Sequence, residues 1–126
     1  MKTDYRDYVL DLLQPHGPIS ARPLFGGYGI YYESLIIGII VDSQLYFKVN
    51  DETRSDYEAY GSLPFVYDGK SKTVTMSYMT VPESILEKRD ELSQWIEKAH
   101  QVSLQSAKSK KNKSNRSKKS HQATLG

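Results

Sequence analysis

The sequence has no cysteine among its 126 residues. This absence excludes a disulfide framework, a thiolate zinc site and a cysteine nucleophile. Long apolar runs are missing too: the longest, LIIGIIV (Leu35–Val41), is far shorter than the roughly twenty residues that span a bilayer as a helix. Charges interrupt the N-terminal stretch MKTDYRDYVLDLL, which therefore does not resemble a signal peptide. These absences predict a soluble, cytoplasmic protein of one domain, without a membrane partner.

Acidic residues are absent from the last part of the chain. From residue 107 to the end there are seven basic residues and no acids, whereas residues 1–106 hold ten basic residues and all fifteen acids, a net charge of −5. The segment is rich in Ser, Lys and Asn and poor in apolar residues, so we expect it to be disordered when free. The predicted division is a folded domain at 1–104 and a basic tail at 105–126. The basic residues of the tail are Lys108, Lys110, Lys111, Lys113, Arg116, Lys118 and Lys119.

The apolar pattern of residues 1–104 predicts an α+β fold. Helical spacing marks a helix from about Thr3 to Leu13, a short helix near 50–61 and a last helix from about Pro82, which the charged run EKRDE can interrupt. Between them lie β-branched and aromatic stretches that predict two hairpins, one turning at Asp42–Ser43 and one at DGKSK. The order is α-β-β-β-α-β-β-α, an antiparallel sheet of about five strands flanked by helices.

Two strands carry more specific expectations. Alternation is weak in LIIGIIV, which indicates a strand covered on both faces. In the last strand, period-two alternation assigns Val74, Met76 and Tyr78 to the core face and the residues between them, including Met79, to the opposite face.

The stretch RPLFGGYGIYY raises the question of a phosphate-binding loop. It has a G-x-G spacing, but a tyrosine occupies the place of the third glycine of a dinucleotide fingerprint, and a strand rather than a helix follows. The Gly-Lys-Ser/Thr ending of a Walker loop is also missing. We therefore interpret Gly26, Gly27 and Gly29 as residues of a turn or bulge between strands, or of a close backbone approach.

Other reactive side chains form no catalytic pattern. The histidines His16, His100 and His121 lack metal-ligand spacing and are expected to face solvent. The acids around 51–58 have the spacing of helix caps and a solvated face, and no serine lies in a nucleophile elbow. We predict no catalytic residue, no cofactor and no metal. The tail predicts weak, sequence-independent contact with nucleic acid phosphates, and it has no aromatic residue on which bases could stack.

Several stretches, taken in order, resemble the TfoX/Sxy N-terminal domain family: RPLFGGYGIYY, the LYFK strand, the F-x-Y pair and the MSYMTVPE junction. The similarity extends over roughly residues 1–100. The residues that carry it are Arg22, Phe25, Gly26, Gly27, Gly29, Tyr46, Phe47, Lys48, Phe65, Tyr67 and Tyr78.

The resemblance implies a non-enzymatic bacterial protein with a compact sandwich similar to small secretion chaperones. Better-known members regulate natural competence together with a transcription activator and carry a second domain, in whose place this chain has a basic tail. The hypothesis that follows is a regulatory adaptor that binds a protein partner of the transcription machinery. Two alternatives stay open: a chaperone-like homodimer whose sheet edge binds partner peptides, and a small-ligand-binding domain. The roles of Arg22 and Lys48 are open as well, a structural ion pair with an acid such as Glu33 or Asp68 being one reading.

Overall fold

Six antiparallel strands form one sheet in the order β1-β2-β3-β4-β6-β5. The computed structural model describes the backbone of residues 2–24, 26–68 and 73–125 and the side chains of residues 4–24, 26–66 and 77–108. The strands are β1 (Ile19–Leu24), β2 (Gly27–Tyr32), β3 (Leu35–Val41), β4 (Gln44–Lys48), β5 (Pro64–Asp68) and β6 (Thr73–Thr80). The helices are α1 (Lys2–Leu13), α2 (Asp51–Glu58), α3 (Glu83–Leu86) and α4 (Arg89–Leu125), and a 3-10 turn at Gln14–His16 follows α1. The α+β class is confirmed.

The sheet has one strand more than the sequence predicted. The additional strand is β1, which pairs with β2 from Ile19 opposite Tyr32 to Leu24 opposite Gly27. Pro23 made this stretch a poor candidate, because proline cannot donate a hydrogen bond to a neighbouring strand. Since β1 lies at the edge of the sheet, one side of its backbone needs no such donor, and proline is tolerated there.

The β3–β4 hairpin turns at Asp42–Ser43, as predicted. Val41 pairs with Gln44, and the two residues between them have φ values of 51° and 56°. Positive φ at both central positions is the mirror-image turn whose twist matches that of a hairpin. Neither residue is glycine, so the turn carries a conformational cost.

Strand β3 is buried on both faces, which confirms the prediction from LIIGIIV. The pairing of β2 with β3 shifts register between Ile30 and Tyr31, which places an extra residue in β3. Because of this bulge, Ile37 joins Ile40 in the main core, whereas Ile39 belongs to a smaller cluster on the other face.

The four helices contribute their buried side chains to the main core on one face of the sheet. Helix α2 begins with a capping box in which Asn50 and Thr53 bond each other's backbone N–H groups. The Trp95 ring of α4 lies between two tyrosines near α2, with ring-centroid distances of 4.1 Å to Tyr57 and 5.2 Å to Tyr60. These contacts hold α2 against α4.

The last helix is interrupted within EKRDE, so that α3 ends at Leu86 and α4 begins at Arg89. Its backbone then continues as helix through the basic segment to Leu125, past the point near Gln105 where the sequence pattern ends. The side chains beyond Lys108 lie outside the described residues. Disorder of this segment in the free protein stays a prediction.

The assignment of faces in β6 was wrong for its last residues. Tyr78 and Met79 are both buried, but Met79 packs into the main core and Tyr78 into the smaller cluster on the opposite face. Both faces of β6 carry apolar side chains at this point, so alternation alone could not say which face meets the helices.

Candidate functional site

The face of the sheet opposite the helices is a candidate interaction surface. Among the described residues, its apolar cluster consists of strand side chains only, with Ile39, Phe65 and Tyr78 at its centre. We call this surface the open face. Its described members are Arg22, Leu24, Gly29, Tyr31, Ile36, Ile39, Val41, Tyr46, Lys48, Phe65 and Tyr78.

Three residues of the first hairpin form a stack on the open face. Arg22 lies directly opposite Gly29 in the β1–β2 register, and Tyr31 follows Gly29 by two positions on the same face. A side chain at Gly29 would come within 3.0 Å of the Tyr31 ring, so the absence of one lets the ring lie close to the sheet. The Arg22 guanidinium carbon is 5.0 Å from the centroid of the same ring. This distance is typical of a cation–π interaction.

Arg22 is exposed and, within the described residues, has no carboxylate partner. The ion pair with Glu33 considered from the sequence is not formed, and the side chain of Asp68 lies outside the described residues. The contact with Tyr31 restrains the guanidinium while leaving its donors available for a ligand, so Arg22 can contribute to binding as well as to packing.

Lys48 and Tyr78 extend the surface from this stack towards β6. They lie opposite each other in the β4–β6 register. Burial raises the pKa of Tyr78 above its ordinary value, and the nearby Tyr31 hydroxyl adds to the shift. Tyr78 therefore remains neutral at physiological pH, and its hydroxyl can donate and accept hydrogen bonds.

Helix α4 leaves the sheet beside these residues. The buried Ser103 hydroxyl donates a hydrogen bond of 2.6 Å to the Ile36 carbonyl oxygen, which fixes the helix to β3. Two shallow grooves of about 370 and 230 Å³ adjoin this point, and both are lined by Lys48 and Ser106. The smaller groove is also lined by Tyr31. The basic segment thus begins next to the open face.

Tyr46 and Phe65 form the other end of the open face. Their rings meet edge to face with centroids 5.2 Å apart. Burial raises the pKa of the Tyr46 hydroxyl, and the carboxylate of Asp42 in the β3–β4 turn raises it further. Negative charge therefore adjoins the open face at this turn, and a second acid, Asp51 at the start of α2, lines the larger groove together with Lys48.

The remaining glycines of the family motif have structural roles in the β1–β2 turn. Gly26 has a φ of 78°, and a Cβ atom at Gly27 would overlap the carbonyl oxygen of Ile40. The interpretation of these glycines as a turn and a close backbone approach is confirmed. Phe25 lies outside the described residues, and for Tyr67 only the backbone, in β5, is described.

Of the basic residues in the tail, Lys108 is described with its side chain, which is exposed. The other six lie on the helical backbone of α4, and their side chains are outside the described residues. They are Lys110, Lys111, Lys113, Arg116, Lys118 and Lys119.

Two of the residues considered as catalytic or metal-binding candidates, Asp56 and His100, have structural contacts. Asp56 accepts a hydrogen bond of 2.9 Å from Lys98, which links α2 to α4. His100 is half-buried and stacks on Tyr32 with ring centroids 4.0 Å apart, so its expected exposure to solvent was wrong. His16 is also half-buried, and His121 lies outside the residues with described side chains. In the described part of the chain, no three acids or histidines are grouped to hold a metal, and no helix could span a membrane.

A second candidate surface lies at the edge strand β5. Leu63 is 68% exposed, and Tyr60 and Val66 are also exposed. Leu63 exchanges hydrogen bonds with Thr80, which holds the start of β5 against β6. These apolar side chains therefore stand on an ordered sheet edge.

Sequence reasoning singled out Arg22, Gly29, Lys48 and Tyr78 but missed Tyr31. The signal was present, because a residue two positions after Gly29 must share its face in a strand. What the sequence did not supply was the pairing that places Arg22 opposite Gly29.

Together, the fold and its surfaces define a small α+β domain with one sheet face covered by helices and a basic C-terminal segment. A sequence model of the TfoX N-terminal domain matches residues 11–103. The chain belongs to the TfoX N-terminal domain family. It is similar to the DNA transformation protein TfoX1 of Aliivibrio fischeri, with 28% identity over 87 residues. This match covers 69% of the present chain and 42% of the relative, so the chain spans less than half of that protein.

Proposed function

We propose that this protein is a non-enzymatic regulatory adaptor that binds a partner protein through its folded domain and nucleic acid through its basic segment. The observation that carries the proposal is the pairing of an exposed apolar sheet edge with a strongly basic segment in one small chain. The name of the relative TfoX1 concerns DNA transformation, which supports a role connected with DNA.

The protein contact is assigned to the edge of β5. An edge strand presents unpaired backbone groups that can bind an extended segment of another protein as an added strand. Exposed Leu63 and Val66 provide apolar contacts beside those groups. The opposite edge, β1, is less suited, because Pro23 lies inside that strand and has no N–H group to offer a new strand, whereas the proline of β5, Pro64, is its first residue.

The nucleic acid contact is assigned to the seven basic residues of the tail. Lysine and arginine side chains bind phosphates without reading the base sequence, and binding releases counterions. The acidic domain opposes such binding, since residues 1–106 carry a net charge of −5. The basic segment therefore supplies sequence-independent affinity, and selectivity comes from the protein partner.

A full-length variant with all seven tail residues changed to glutamine tests the nucleic acid contact. Duplex DNA binding is measured at several salt concentrations. For the native chain we expect log K to fall with log salt by a slope of up to roughly six, about 0.9 per phosphate neutralised. The variant should lose this binding. Undiminished binding by the variant would contradict the assignment to the tail.

Photo-crosslinking in cells tests the protein contact. A crosslinking residue at position 66, on β5, should capture a partner that the same residue at position 97 does not. Glu97 is a matched control because it is exposed on α4, distant in the chain from the sheet edge. Equal capture at both positions would argue against the β5 edge. A product with the mass of two chains would instead favour the homodimer.

A further inference from the structure

We propose that the open face binds single-stranded nucleic acid and thereby continues the contact made by the basic segment. This inference rests on the proposed nucleic acid role of that segment. In this inference the Arg22–Tyr31 stack binds the bases. Lys48 and the basic residues of α4 bind the backbone phosphates.

The charges of the open face are suited to binding an anionic nucleic acid strand. Its described charged side chains are Arg22 and Lys48, and none of its described strand members is acidic. Two acids adjoin the face: Asp42 acts on Tyr46 at the far turn, and Asp51 lines the larger groove together with Lys48. Among the described residues, the smaller groove has no acid in its lining, so a chain of phosphates that crosses from Lys48 to Arg22 along that groove meets positive charge, although the domain as a whole is acidic.

The basic segment is continuous with this path. Ala107 and Ser106 line the groove that Tyr31 and Lys48 also line, and Lys108 is the next residue of α4. A helix rises about 1.5 Å per residue, so the tail begins within a few ångströms of the groove. A nucleic acid strand bound along the tail can therefore continue directly onto the open face of the sheet.

The stack selects for unpaired bases. The Arg22 guanidinium lies over the Tyr31 ring, and a Cβ atom at Gly29 would come within 3.0 Å of an atom of the same ring. The guanidinium plane offers its outer side, and bases of single strands stack on such planes. The hydroxyls of Tyr31 and Tyr78 can bond base edges. In a duplex the faces of the bases are already stacked on neighbouring base pairs and cannot reach the guanidinium plane. Duplex DNA should therefore bind through the tail alone.

A polyanion with regularly spaced charges fits better than an acidic peptide, because seven tail cations adjoin the two on the sheet. The acidic peptide becomes an outcome of the test. The probes are a fluorescent twenty-nucleotide oligothymidine and a duplex of the same length, measured by anisotropy with the full chain.

The decisive comparison is Arg22→Gln against Arg6→Gln. Arg6 is a matched control, because its guanidinium also lies 5.0 Å from a tyrosine ring, that of Tyr28, which packs against the main core. Arg22→Gln should weaken oligothymidine binding by roughly tenfold, the loss of about one stacked base, and leave duplex binding nearly unchanged. Arg6→Gln should alter neither affinity.

Further variants separate the possible outcomes. Tyr31→Phe keeps the ring and should retain most single-strand binding, whereas Tyr31→Leu should lose it to the same extent as Arg22→Gln. Fluorescence of Trp95, which is buried in the main core, shows whether each variant is folded.

Three results would overturn the inference. In the first, Arg22→Gln weakens duplex and oligothymidine binding equally, which would mean that Arg22 contributes only its positive charge and does not stack on bases. No effect of Arg22→Gln, together with loss of all binding in the tail variant, would leave the proposed function standing and remove the open face from it. In the third, polyglutamate at matched charge displaces oligothymidine from the native chain but not from a peptide of the tail alone. That result would assign the open face to binding an acidic protein segment.

Discussion

Replacing Tyr57 by phenylalanine is expected to make the protein more stable. Tyr57 lies on α2, packs into the main core and is only 1% exposed. Its hydroxyl has no hydrogen-bond partner within the described residues. A buried polar group without a partner loses its hydration on folding and gains nothing in return. Phenylalanine keeps the ring and its contact with Trp95 and removes the hydroxyl.

The magnitude follows from the cost of that hydroxyl. An unsatisfied buried donor or acceptor costs about 1–3 kcal/mol, and the ring keeps its volume, so Tyr57→Phe should raise the free energy of unfolding by about 1 kcal/mol or more. For a domain of this size, such a change raises Tm by about 4 °C. Tyr57→Ala should instead destabilise by about 3–5 kcal/mol, because it also removes the ring.

The same burial predicts a signature at high pH. Burial, with a smaller contribution from the Asp56 carboxylate, raises the pKa of Tyr57 above its ordinary value of 10.0. In the unfolded chain the phenol ionises above pH 10, while in the folded protein it stays neutral, so unfolding releases a proton. Below pH 10 this group does not change the free energy of unfolding. Above pH 10 it lowers the free energy of unfolding by about 1.4 kcal/mol per pH unit. Tyr57→Phe should remove this part of the alkaline loss.

Urea unfolding followed by the fluorescence of Trp95 measures both effects. Tyr60→Phe is the matched control, because Tyr60 contacts the same indole but is 50% exposed and its hydroxyl reaches water. The control should change stability by less than about 0.5 kcal/mol. The reasoning would be refuted if Tyr57→Phe destabilised the protein at neutral pH, since the hydroxyl would then have a partner, or if its alkaline slope equalled that of the native chain.

Three further predictions concern the sheet and its attachment to α4. Ser43→Gly should stabilise the protein by about 1 kcal/mol in thermal unfolding, because glycine takes the positive φ of the Asp42–Ser43 turn without the cost that serine bears. Gly27→Ala should destabilise it by about 2 kcal/mol or more, since the new methyl group would overlap the backbone of Ile40 in the neighbouring strand. Ser103→Ala should cost about 1–2 kcal/mol, because the carbonyl oxygen that it bonds on β3 is left without that donor; an unchanged urea midpoint would show that α4 does not depend on this bond.

The controls for the first two of these predictions lie nearby. Gly26→Ala meets no atom within 4 Å and should lose only the freedom to adopt its φ of 78°, about 1 kcal/mol, so it should be milder than Gly27→Ala. Ser43→Ala should not stabilise the turn, because alanine bears the same positive-φ cost as serine. Equal effects within either pair would contradict the backbone arguments.

Much of the fold could be predicted from the sequence because local patterns determine it. The apolar run of β3 required cover on both faces, the polar pair Asp42–Ser43 required a tight turn, and the charged run after Leu86 divided the last helix. Each of these features depends on neighbours within a few residues, and for that reason side-chain periodicity and turn chemistry were sufficient to place them.

The missed strand and the misassigned face had a different origin. Pro23 is unfavourable inside a sheet but acceptable at an edge, and only the strand order shows that β1 is an edge. Likewise Tyr78 and Met79 are both apolar, and only the position of the helices distinguishes the core face from the open face.

By itself, the sequence predicted the α+β class and the contrast between an acidic domain and a basic segment, because composition and local spacing encode them, and the resemblance of its ordered motifs pointed to the family. The tertiary structure alone decided which residues act together. Arg22 and Tyr31 lie on different strands, Lys48 and Ser106 on different elements, and strand pairing brings each set together. Such contacts arise from the register and packing of distant segments, which no local pattern specifies.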